Sequence, residues 1–138
     1  MDSPMLTPAL ILVAWTLVVW IWMYALRIPA MSSAGIDADD AKHPGSLDAL
    51  PSHVRAVADN YNHLHEQPTI FYALVFYTHL AGNATDLAVS LAWSYVVLRI
   101  LHSLVQNTVN KVMIRFAVFS LSSLALMGLA VINLLRLV

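Results

Sequence analysis

Residues 55–76 read RAVADNYNHLHEQPTIFYALVF, a helical pattern rich in titratable groups that runs into an aromatic and apolar segment. Arg55, Asp59, Asn62 and Glu66 recur at helical spacing and form one polar stripe. Near hydrocarbon such groups are costly unless they pair or serve a ligand. Arg55 and Asp59, four apart, can pair with each other. His63 and His65 are two apart and diverge on a helix, so the pair does not suggest a metal site. A second stripe follows downstream, where Tyr95, Arg99, His102 and Gln106 recur at four, three and four residues. Arg99 lies inside an apolar run, and Glu66 or Asp59 are its natural partners. Arg99 therefore suits either a salt bridge between two helices or an anion-binding role, and His102 a hydrogen-bonded core position. Lys111 and Arg115 are again four apart. Arg115 can snorkel to the membrane boundary. The two cations together would favour an anionic, carboxylate-bearing ligand at the mouth of a helix bundle.

The elements that position these residues are membrane helices. Of 138 residues, 59% are hydrophobic and only 11% charged, against about 25% charged in soluble domains. Mean hydropathy is +0.71. So short a chain has too little interior to hide that apolar surface, and lipid must cover part of it. The net charge of −1 and the lack of a basic patch speak against a nucleic-acid partner. There is no cysteine, so any thiol chemistry needs a thiol from a ligand.

Ser3 to Leu26 carries no charge, enough to cross a hydrocarbon core of roughly 30 Å. The start, MDSPM, lacks the basic residues of a signal peptide, and the run is read as a retained first span, about 5–26. Residues 28–50, rich in Pro, Gly, Ser and Asp, read as a water-exposed loop. Asp37, Asp39 and Asp40 match no calcium-loop spacing. A single helix is expected from about 51 to 81, emerging from water and entering the bilayer near Pro68 as a span over 67–82. Further spans are expected at 86–107 and 115–136. Arg27, Lys42 and Arg55 border the first loop, and Lys111 and Arg115 the third. That bias places both loops in the cytoplasm and both termini on the other side. Arg136 is the one dissenting charge. The expected fold is an all-α integral membrane protein, a four-transmembrane-helix bundle.

The two stripes resemble the motifs of the MAPEG family, the membrane-associated proteins in eicosanoid and glutathione metabolism. The first family motif is similar to Arg55, Asn62, Pro68 and Phe71, and the second to Arg99, His102, Lys111 and Arg115. The resemblance covers essentially the whole chain and points to a divergent bacterial member in the inner (cell) membrane. It implies a homotrimer of four-helix protomers in contact with the lipid bilayer. It also implies glutathione as cofactor, bound between neighbouring protomers near the cytoplasmic side. By resemblance Arg115 is the catalytic residue that stabilises the glutathione thiolate. Arg55 and Asn62 help to hold the tripeptide, with Glu66, Arg99 and Lys111 as further candidate cofactor-binding residues.

The resemblance implies a glutathione-dependent transferase or peroxidase acting on a lipophilic small molecule from the bilayer. Three positions depart from the family pattern: Ala58 replaces an arginine, Gln106 a tyrosine, and His65 a glutamate, with Glu66 one residue later. These departures motivate a second reading, a non-catalytic lipid-binding or scaffold protein of the same fold. A small multidrug exporter fits poorly, because the first span holds no acidic residue.

Overall fold

The structure is a computed structural model and describes residues 3–137. The regular structure of the described residues is all helical: α1 (Thr7–Ala34), a short 3-10 helix (Ala38–Asp40), α2 (Ser52–His63), α3 (Gln67–Leu80), α4 (Asp86–Asn107) and α5 (Val112–Leu134). Three of these, α1, α4 and α5, are long and apolar enough to cross a membrane. Large side chains such as Leu17, Ile21, Leu80, Leu87, Phe116 and Leu124 project outward from them and from α3. Their number is what a lipid-facing surface requires.

Two sequence expectations change. The first helix does not stop near residue 26 but continues to Ala34, through Pro29. Its end is set by Gly35, whose φ of 66° is left-handed. The Gly35 and Ile36 amides donate back to Ser32 and Met31 carbonyls at 3.2 and 3.0 Å. Such a glycine stop satisfies the terminal carbonyls that a helix leaves open. The first third of the expected loop is therefore helix.

The expected single helix over 51–81 is two helices. Pro68 has no N–H, and its ring would collide with the Leu64 carbonyl if the helix continued. Helix α2 accordingly ends at His63, the chain turns through 64–66, and α3 restarts with Pro68 in its first turn. The turn is held by the Thr69 hydroxyl, which donates to the Glu66 carbonyl at 2.7 Å. The break rotates Glu66 off the α2 stripe. With 14 residues, α3 is about 21 Å long, shorter than the hydrocarbon core.

Helix α4 packs along α5 and also contacts α1 and α2. Leu12, Val19, Val57, Phe71, Val75, Ala92, Val96 and Leu129 form the shared core. Phe71 stacks on Tyr95 with ring centroids 4.5 Å apart. Gly128 lets α5 approach α4, since a Cβ there would lie 3.3 Å from Leu91. Near the Gly82 turn, buried carboxamides close the bundle. Asn133 donates to the Thr78 hydroxyl at 2.7 Å and accepts from Asn83 at 3.1 Å. Arg136 donates to the same Asn83 at 3.1 Å, which gives this one cation at that end a partner.

Candidate functional site

The α4 stripe turns wholly inward: Tyr95, Arg99, His102 and Gln106 are all buried. Arg99 is only 1% exposed. Its expected carboxylate partner is absent. Instead its Nη2 donates to the His63 carbonyl at 3.2 Å. The reason is the Pro68 break, which leaves the end of α2, the negative end of a helix dipole, facing α4. The guanidinium also lies 5.6 Å from the Phe119 ring centroid, a cation–π contact. Its Nε and Nη1 have no partner. One turn away, Tyr95 donates to Gln67 at 3.3 Å and Gln67 donates to Ser123 at 2.9 Å.

Arg55 does not pair with Asp59 either. It pairs with Asp48 of the preceding loop at 3.7 Å, and its Nη1 donates to the Asp48 carbonyl at 3.1 Å. This is the one ion pair among the described residues. The exchange of partners has a simple origin. Successive turns at Ser46, Asp48 and Leu50 fold the loop back onto α2, bringing Asp48 to Arg55.

The predicted residues separate into two cavities. The first, about 370 Å³, lies between α1, the 41–50 segment and α2. Arg27, Asp48, Arg55, Asp59 and Asn62 line it, as does Ala58, where the family pattern has an arginine. The second, about 310 Å³, is lined by His63, Glu66, His102 and Arg115 with Val112, Phe116 and Phe119. Here Arg115 donates to the Asn110 side chain at 2.8 Å, while its Nε is buried and has no partner. The His63 and His102 rings are near-parallel, with centroids 6.4 Å apart.

Lys111 is exposed, sits at the N-cap of α5, and lines neither cavity. Lys111 and Arg115 thus stand at a helix N-terminus, where cations oppose the dipole and an anion is favoured. Arg99 also lines neither cavity; it holds the end of α2 beneath the second one. His65 turns away, its Nδ1 2.8 Å from the Tyr61 carbonyl and its ring against Tyr61. Glu66, not His65, is therefore the acidic group beside Arg115. Sequence spacing missed Asp48, whose link to Arg55 is neither periodic nor within one helix. It also missed Phe119, whose contact with Arg99 joins two helices.

Among the described residues no cluster of histidine and carboxylate groups is arranged to hold a metal ion. The chemistry on offer is anion and carboxylate binding beside an apolar wall.

A family model described as the MAPEG family matches residues 5–135. No curated protein and no solved structure matches the chain. Since the family model covers nearly all of it, and the two polar motifs are in place, the chain belongs to the MAPEG family.

Proposed function

We propose that the protein is a glutathione-dependent transferase or peroxidase of the bacterial inner membrane, acting on a lipophilic electrophile. In this reading four spans form each protomer, with α3 completing its crossing through the 64–66 turn, and three protomers assemble as a homotrimer. Both termini face away from the cytoplasm.

One observation supports the reading: the candidate ligand-binding residues divide between two cavities, with Arg55 and Asn62 in one and Glu66 and Arg115 in the other. A site assembled between neighbouring protomers joins the first cavity of one to the second cavity of the next. The residues fit a tripeptide bearing carboxylates, an ammonium group and a thiol. Arg55 and Asn62 receive a carboxylate, Glu66 suits the ammonium group, and the partnerless Nε of Arg115 has a donor to spare.

Bound glutathione supplies the thiol that this cysteine-free chain lacks. Arg115 holds positive charge beside that thiol, which favours its ionised form and lowers its pKa. Lys111 adds to the positive field at the mouth. Val112, Phe116 and Phe119 form an apolar wall on which a bilayer-dissolved electrophile can lie. Arg99 positions the site by holding α2 and Phe119.

Calorimetric titration of glutathione into detergent-purified protein tests this reading. Binding in the micromolar to low-millimolar range is expected, and it should weaken about tenfold or more in Asn62→Ala and Arg55→Ala, the scale of a lost charge-assisted hydrogen bond. No heat and no thermal stabilisation at about 10 mM glutathione, where a millimolar ligand contributes about 1.4 kcal/mol, would contradict it.

A second reading, lipid binding without catalysis, is supported by a groove on α1. Trp20, Ile21, Tyr24, Ile28 and Pro29 line a shallow apolar space of about 630 Å³, larger than the Arg55 or the Arg115 cavity. A specific lipid that co-purifies, with no effect of glutathione on stability, is the outcome that selects it.

A further inference from the structure

The geometry points to Asp48 as the residue that decides which ligands Arg55 accepts: its carboxylate occupies the place of a ligand carboxylate, and such a ligand must displace Asp48 from Arg55, which loosens the 41–50 segment. This rests on the reading above, in which the Arg55 cavity takes a carboxylate. The cavity is partly covered. Much of its wall is the 41–50 segment, which contains no α-helix and is closed by turns. Gly45, at φ +88°, makes the tight turn, and a Cβ there would lie 3.5 Å from Asp48 Oδ2. Leu50, buried, pins the far end of the segment against the core.

The Arg55–Asp48 contact is built to be exchanged. The side chains are 47% and 72% exposed and their charged atoms 3.7 Å apart. Exposed pairs of this kind hold weakly. With Leu50 still anchored, loosening the segment around Asp48 breaks the pair, the hydrogen bond to the Asp48 carbonyl and a few turn contacts. Further charged groups line the rest of the cavity. Arg27 and Asp59 line it without any ion pair of their own. A neutral or cationic ligand has nothing to offer Arg55 that Asp48 does not already supply. A carboxylate replaces Asp48 one for one and frees it for a ligand ammonium group. Asp48 thus lowers affinity for every carboxylate while rejecting ligands that carry none.

The test uses the whole detergent-purified protein, wild type and Asp48→Asn, titrated with two probes: glutathione and the thiol-free dicarboxylate glutarate. Hydrogen exchange of the 41–50 amides is followed in parallel. Asp48→Asn is expected to bind both probes about two- to fivefold more tightly, the scale of an exposed ion pair. Either probe should speed exchange at Ser46, Asp48 and Leu50 in the wild type. Tighter glutarate binding with no response to glutathione in either form keeps the role of Asp48 and removes the glutathione reading. Equal affinity of the two forms for each probe, unchanged exchange over 41–50 when a probe binds, or no binding of either probe overturns the proposal.

Discussion

Arg115→Ala is expected to lower thiol-transfer turnover by about two to three orders of magnitude, the usual consequence of removing one donor aimed at developing negative charge. The guanidinium borders an apolar cavity, where a charge acts through a lower dielectric than in water. Its Nη1 is held by Asn110 at 2.8 Å, which fixes the head group before any ligand arrives. Loss of that charge also has a sign in pH. A guanidinium beside a thiol favours the thiolate, so the wild-type rate should rise and level off at lower pH than the rate of the variant. Arg115→Lys keeps a charge but not the forked donor geometry, and should fall between the two. Turnover against a lipophilic electrophile, measured across pH in detergent or liposomes, checks all three. An Arg115→Ala variant with wild-type turnover and pH profile would remove the residue from the mechanism.

The second large effect is on stability. Arg99→Ala should destabilise the protein by about 2–5 kcal/mol, the range for truncating a large, fully buried side chain. It removes the hydrogen bond to the His63 carbonyl and the packing on Phe119 at once. Arg99→Met tests the alternative cause. If the guanidinium is chiefly a volume filler with one bond, methionine restores most of the loss, because replacing a buried charge by a well-packed apolar chain is often neutral or favourable. If the charge at the α2 terminus is what holds the helix, methionine stays close to alanine. Thermal unfolding of the three forms in one detergent separates the cases. A wild-type melting temperature for Arg99→Ala would show that the residue carries no structural weight.

What could be read from sequence follows the range of the interaction. The inward face of α4 was legible because Tyr95, Arg99, His102 and Gln106 repeat at helical spacing inside an apolar run, and burial obeys that period. The helical, membrane-spanning character was legible in composition, since a chain this short cannot hide so much apolar surface. The family was legible in the combined spacing of the two motifs. The extent of α1 was not, because the Pro, Gly, Ser and Asp of residues 28–50 read together as loop while the stop lies at Gly35. Pro68 was noticed, but the aromatic run after it masked its effect on the helix. That one break left Arg99 without either expected carboxylate partner, and it parted Glu66 from Arg55 and Asn62. The Arg55–Asp48 pair lay beyond reach because a loop contact leaves no period in the sequence.

The central claim is that each site combines the Arg55 cavity of one protomer with the Arg115 cavity of its neighbour. Mixed trimers of Arg55→Ala and Arg115→Ala protomers test it most directly. At glutathione well below saturation, each variant alone should be far less active than the wild type. Co-expressed in equal amounts and purified together, they should recover about a quarter of wild-type turnover, because random assembly in a closed ring places an intact Arg55 beside an intact Arg115 at that fraction of interfaces. Mixed trimers as inactive as the separate variants would place both residues in a site within one protomer, or Arg55 outside the site altogether, and would contradict the account.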